Sequence, residues 1–229
     1  MTLVAFDFDG TLSDSEMTVL LGEQYDRKNP PQDETAESRL PVADQMESIT
    51  EQAMNDEIAY AESLRRRCAL LAGLPETQAQ KAFDRVRLRP GATDVVRTLD
   101  DAGVYTAILT GGFERGVETA LEREGVTVET VIANRLTVVD DELTGEVEGP
   151  LIEGTKDDAL AVLCATVDVE LSETVAVGDG ANDLPMLEAA GLAVGFSPKP
   201  AVEPACDVVV ESMDELLDCF ENVGNMTGQ

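Results

Sequence analysis

The chain has 229 residues, 43% of them hydrophobic, enough for one medium α/β domain with a smaller insert and too apolar for wholesale disorder. It contains no histidine, which excludes Ser-His-Asp triads, Cys-His dyads, histidine phosphatases and histidine-ligated zinc together. Its 46 acidic residues against 16 basic ones, a formal charge of −30, repel nucleic-acid phosphates and anionic lipids, so neither is an expected partner.

Residues 3–8, Leu-Val-Ala-Phe-Asp-Phe, form a short apolar run that ends in carboxylates and Gly10, the pattern of a buried parallel strand. These first residues read as a strand rather than a basic, apolar leader, and no stretch approaches the roughly 18 apolar residues of a membrane helix, so the expected location is the cytoplasm. The acids are scattered rather than gathered in a tail. That suits a protein kept soluble at high salt, and a halophilic cytoplasm is the expectation.

From about 15 to 85 the pattern changes. A polar, Pro-containing segment from Asp26 to Pro41 reads as a linker or long loop. Val42, Met46, Ile49 and Ala53 then fall at helical spacing, followed by Ile58, Ala61, Leu64, Cys68 and Leu71, with Gly73 and Pro75 as a stop. The reading is a small helical cap, residues 15–85, inserted into a catalytic core of residues 1–14 and 86–229.

Apolar runs recur at 104–109, 174–178, 192–196 and 207–210, separated by helical patterns at 92–102, 114–124, 156–165 and 183–190. Such alternation predicts an α/β fold with a doubly wound, mostly parallel sheet. Residues 134–150 alternate around Asp140-Asp141 and predict a β-hairpin flap. Cys68, Cys164, Cys206 and Cys219 make no CxxC pair and are expected as free thiols. None has Arg six residues later, so the cysteine-phosphatase loop is absent.

Three of the strands end in polar, Gly-containing turns, and in parallel sheets ligands sit at that edge. Asp7 and Asp9 are two apart, so an extended backbone sends both carboxylates to one side, and Gly10 permits a tight turn. Carboxylates that close repel unless a cation joins them. With no histidine or cysteine in the motif, an oxygen-seeking ion such as Mg²⁺ suits them. Gly178-Asp179-Gly180-Ala181-Asn182-Asp183 adds two carboxylates and an amide at a second strand end, and its acids argue against a dinucleotide site. Thr110-Gly111-Gly112-Phe113 offers a hydroxyl and backbone N–H groups to an anion. Lys156, one of four lysines, opens a helix and could neutralise a phosphate, although the stretch from Gly149 fails the Walker spacing. Each motif alone also reads as an ordinary turn or surface residue.

In this order, Asp7-Phe8-Asp9-Gly10-Thr11, Thr110-Gly111-Gly112, Lys156 and Gly178 to Asp183 resemble the four motifs of the haloacid-dehalogenase-like hydrolases. The resemblance implies Asp7 as nucleophile and Asp9 as general acid/base that also lends a backbone carbonyl to Mg²⁺. It implies phosphoryl binding by Thr110, Gly111, Gly112 and Lys156. Asp179 would be a metal ligand, with Asn182 and Asp183 supporting the substrate and metal shell. Ser63-Leu64-Arg65-Arg66-Arg67, Thr110 to Phe113, and Ala133 to Gly145 look like the phosphoserine phosphatases within that family. By that likeness Glu16 binds the substrate amine, Arg67 its carboxylate, and Met54 lines the pocket; a zwitterion wants such a pair. Periodicity alone does not choose among the three arginines. Gly10 and Thr110 both stand where that subgroup usually has Ser. The expected activity is hydrolysis of a small phosphomonoester, phosphoserine first, with phosphohomoserine or phosphoglycolate as alternatives and a silent acidic metal-binding module as a remote one.

Overall fold

A computed structural model describes residues 3–30, 40–54 and 57–226. Strand β1 (Leu3–Phe6) is wholly buried, with Val4 and Phe6 packing into one hydrophobic cluster and Leu3 and Ala5 into another. Burial on both faces is why the run is continuously apolar rather than alternating.

Helices α1 (Met17–Lys28), α2 (Val42–Met54), α3 (Tyr60–Ala69) and α4 (Glu76–Phe83) follow, then α5 (Ala92–Asp101) and β2 (Tyr105–Phe113). The chain continues through α6 (Glu114–Glu124), the strands β3 (Thr130–Val139) and β4 (Glu142–Glu148), α7 (Lys156–Val167) and β5 (Thr174–Gly178). It closes with α8 (Leu184–Ala189), β6 (Leu192–Phe196), β7 (Val208–Val210) and α9 (Met213–Met226). The seven strands lie in the order β4-β3-β2-β1-β5-β6-β7, and every neighbouring pair is parallel except β3 with β4. Val95 and Leu99 of α5, Val117 of α6 and Leu216 and Phe220 of α9 cover one face; Leu160 and Leu163 of α7 and Met186 of α8 cover the other. Phe6 meets Phe220 edge-on at 6.1 Å between ring centres. Each such side chain contributes roughly 1.5–3 kcal/mol by leaving water. The sheet is the doubly wound one that the alternating pattern predicts.

β1 pairs with both β2 and β5, Phe6 standing level with Ile108 and Val177. The residues just beyond, Asp7, Thr110 and Asp179, therefore emerge side by side at the carboxyl edge of the sheet. This register creates the site.

Three readings need correction. The polar segment at 26–41 is not loop from its start, because α1 runs to Lys28; residues 31–39 lie outside the described residues. Asp26, at the end of that helix, accepts the N–H groups of Val42 (2.8 Å) and Ala43 (3.1 Å) and so caps α2. The strand expected at 104–109 extends through Phe113, with an irregular register between Leu109 and Phe113. The hairpin is no free flap: the start of β3 pairs in parallel with β2, Leu109 opposite Ile132. Its tip does have Asp140 (φ 51) and Asp141 (φ 63) in the left-handed conformation that a two-residue hairpin turn needs. That tip is held by the inserted helices, Glu76 N–H donating to Asp141 O at 2.8 Å and Gly73 N–H to Leu143 O at 2.8 Å. An alternating pattern records which face is buried, not which strand lies alongside.

Candidate active site

Asp7 continues the ladder by one residue, its N–H donating to Val177 O at 2.8 Å, and the residue is 3% exposed. The chain then turns at Gly10 (φ 95), which is closed by Gly10 N–H to Ser13 O at 2.9 Å. A Cβ on Gly10 would stand 2.4 Å from Asp179 Oδ1. Glycine is therefore required here by both backbone and space, and a Ser would not fit without displacing Asp179.

Lys156, the first residue of α7, reaches the same floor. Its Nζ donates to Asp7 Oδ1 and Asp183 Oδ1, both at 2.5 Å. The other oxygen of Asp183 accepts the N–H groups of Asp179 (3.0 Å) and Gly180 (2.9 Å) and so shapes the turn after β5. One ligand oxygen from each of Asp7, Asp179 and Asp183 lies within 4.8 Å of the others. The carboxylate of Asp9 is not in that trio. Burial and the neighbouring Asp183 push the Asp7 carboxyl up to about 7. Burial also raises Asp179. Burial alone would depress Lys156, but Asp183 and Asp7 outweigh it and the ammonium is held above its ordinary value. Three clustered carboxylates offering only oxygen fit a hard divalent cation such as Mg²⁺.

Asp9 borders the same cavity, and its Oδ1 is buried without a hydrogen-bond partner. Burial, then Glu16 and Asp7, raise its pKa well above the usual carboxylate range. A carboxyl that favours its proton and lacks an acceptor is suited to donating to an incoming oxygen. Thr110 is buried within β2, in the irregular stretch between Leu109 and Phe113, its Oγ1 accepting the Gly112 N–H at 3.0 Å. A Cβ on Gly112 would lie 2.9 Å from Asp9 Oδ2, so the glycine lets backbone approach the carboxylate.

Asp7, Asp9, Thr110, Gly112 and Asp179 form the floor of a cavity of about 430 Å³ whose wall includes Glu16, Arg67, Gly111 and Asn182, while Lys156 and Asp183 are buried and do not line it. Glu16 precedes α1 but makes no capping hydrogen bond, which leaves its carboxylate to the cavity. The three adjacent arginines separate: Arg65 pairs with Glu153 (2.5 Å), Arg66 with Glu62 on its own helix (2.7 Å), and Arg67 turns inward to Thr18 Oγ1 (3.2 Å). Arg67 Nε is buried without a partner, as a guanidinium awaiting an anion would be. Met54 ends α2, and its side chain lies outside the described residues.

The sequence reading missed several neighbours. Tyr60, at the start of α3, extends its hydroxyl to 3.5 Å from Gly111 O. Asn134 of β3, fully buried, donates to Gly111 O at 3.0 Å and accepts the Leu151 N–H at 3.2 Å. Thr18, Thr50, Ser63 and Lys199 also line the cavity. An Ala-Asn-Arg-Leu run and a rare lysine were the available signals; the tyrosine left none.

A seven-stranded sheet of this order, with acids at the ends of β1 and β5 and a lysine opening α7, defines a class. The model of the haloacid dehalogenase-like hydrolases matches residues 4–188, and the chain belongs to that family. It is 51% identical over 224 residues to a phosphoserine phosphatase of Halobacterium salinarum, covering 98% of this chain and 99% of that one. To a phosphoserine phosphatase of Methanocaldococcus jannaschii it is 35% identical over 213 residues, 93% of each chain. Among solved structures, a phospho-aspartyl intermediate analogue of phosphoserine phosphatase is 33% identical with a TM-score of 0.81, covering 95% of this chain and 97% of that one. A substrate-bound phosphoserine phosphatase complex is 32% identical with the same TM-score and coverage.

Proposed function

We propose that this protein is a Mg²⁺-dependent phosphoserine phosphatase that hydrolyses O-phosphoserine to serine and phosphate through an aspartyl-phosphate on Asp7. One observation carries the reading beyond the family: Glu16, which makes no capping hydrogen bond, and Arg67, whose Nε is buried without a partner, are opposite charges that border the same cavity as the Asp7 floor. A free amine and carboxylate on the substrate complement them.

Asp7 attacks phosphorus as the bond to the serine oxygen breaks, and Asp9 gives its proton to that departing oxygen. The phosphoryl group is then on Asp7. Asp9, now the base, takes a proton from a water that attacks the same phosphorus; the acyl-phosphate bond breaks and phosphate leaves. Lys156, Thr110 and the N–H groups of Gly111 and Gly112 hold the phosphoryl oxygens, which is most of what phosphoryl transfer requires. Asp7, Asp179, Asp183 and the Asp9 carbonyl would hold Mg²⁺, with Asn182 supporting that shell; when bound, the ion neutralises negative charge on the transferring group.

The helical segment at 15–85 is assigned as the cap that carries the specificity groups, with 1–14 and 86–229 as the catalytic core. Among the described residues no helix is long and apolar enough to cross a membrane. The cytoplasm, high salt and the last step of serine biosynthesis are the setting proposed. The test is a panel of phosphomonoesters at matched Mg²⁺: kcat/KM for phosphoserine should exceed that for substrates lacking the amine or the carboxylate. Equal efficiency on phosphoglycolate would remove the assignment.

A further inference from the structure

Among the ion pairs of the described residues, two ammonium groups touch the carboxylate trio, and they are built differently. The Lys156 side chain is 4% exposed and gripped by Asp7 and Asp183. The Lys199 side chain is 55% exposed, and its Nζ stands 3.4 Å from Asp179 Oδ2. Yet the Lys199 main chain is pinned. Its N–H donates to Asp179 O at 2.9 Å, and Pro198 and Pro200 stiffen the backbone on either side. Just before them, Ser197 is held at φ 40, its N–H on Val210 O and its Oγ on Glu211 Oε2, both at 2.8 Å. The anchored backbone fixes where the ammonium starts, while its four-carbon stem is free to swing into the cavity that it lines.

Lys199 is the one ion-pair partner that Asp179 has among the described residues, whereas Asp7 and Asp183 share Lys156. Three carboxylates with Lys156 leave two negative charges, the number one divalent cation cancels. A second ammonium this close is surplus once that cation is in place, and the two positive charges repel. On the reading that the trio holds Mg²⁺, we infer that Lys199 is a movable counter-charge that pairs with Asp179 in the metal-free site, yields it to the entering cation and so sets metal affinity. It is a positioning residue, acting through Asp179. Once released, its ammonium stays in the cavity that receives the phosphoryl group.

The experiment is calorimetric titration of the metal-free protein with Mg²⁺ at constant ionic strength, comparing wild type, Lys199→Met and Lys81→Met. Lys81 is exposed on α4, so its substitution changes net charge equally without touching the site. Lys199→Met should lower the Mg²⁺ Kd roughly threefold to tenfold, the range left to one charge several ångströms away after screening. Lys81→Met should match wild type. Unchanged or weaker binding in Lys199→Met overturns the inference, as does an equal gain in Lys81→Met. A wild type that binds no Mg²⁺ sinks the metal reading and the Lys199 role with it. Normal wild-type binding with no change in Lys199→Met removes the Lys199 role alone.

Discussion

Lys156 Nζ lies 2.5 Å from Asp7 Oδ1, joining residues 149 positions apart, the buried lysine to a carboxylate that lines the cavity. The same ammonium holds Asp183 equally close, so one charge keeps two buried carboxylates from repelling each other. Removing the two partners should therefore have opposite effects. Lys156→Met leaves Asp7 and Asp183 face to face and abolishes turnover. Breaking a buried pair costs about 3–5 kcal/mol. Because the Asp7 carboxyl is already pushed up to about 7, it can take a proton, and the loss should fall at the lower end. Asp7→Asn deletes one of the repelling charges, so turnover vanishes while stability holds or rises. Urea unfolding beside a phosphate-release assay separates the cases. Equal destabilisation in both variants would contradict the charge account.

Arg67 and Arg65 provide a matched pair on one helix. Arg67 borders the cavity, while Arg65 spends its charge on Glu153 in an exposed contact. Arg67→Ala should raise KM for phosphoserine by roughly 10- to 100-fold, as hydrogen bonds to charged groups contribute ~1.5–3 kcal/mol. On phosphoethanolamine, which lacks the carboxylate, the same variant should change KM little. Arg65→Ala should leave both substrates within about twofold, because exposed ion pairs contribute little. Steady-state kinetics of the two variants on the two substrates decides it.

The surface makes a separate prediction. Forty-six acids against sixteen bases set a self-repulsion that the folded state concentrates. At about 1 M salt the screening length falls to ~3 Å. The melting temperature should therefore climb steadily from low salt to molar KCl. A flat profile would count against adaptation to a salty cytoplasm.

What the sequence reveals and what it hides follow from the range of the interactions. Asp7, Thr110 and Asp179 were legible because a buried parallel strand leaves a local apolar run, and the turn beyond it must be polar and glycine-bearing. Lys156 was legible as the opening of a helix. Which arginine enters the cavity was not, because Arg65 is committed by Glu153, a residue of the turn before α7, far along the chain. α1 was missed because its buried Met17, Leu21 and Gln24 include a polar residue, whose amide donates to Gln78 at 2.8 Å on α4. The flap became part of the sheet through pairing of β3 with β2, which no alternation within 134–150 could announce. Local chemistry located the site, and long-range contacts assembled its wall.

Tyr60 supplies the last case, a contact legible only in three dimensions. A Cβ built on Gly111 would stand 2.0 Å from Tyr60 Oη and 3.2 Å from its Cζ, so the glycine exists to admit the ring end. Gly111→Ala should push Tyr60 off the loop that carries Thr110 and lower kcat/KM by about tenfold, the scale of a 1.4 kcal/mol perturbation in positioning. Tyr60→Phe alone removes only the long contact to Gly111 O and should cost little. Combining them removes the clashing oxygen and leaves the milder Cζ contact. The double variant should therefore recover much of the loss, a non-additivity read from a double-mutant cycle. If the two changes simply add, then Tyr60 and Gly111 do not meet in solution as they do here.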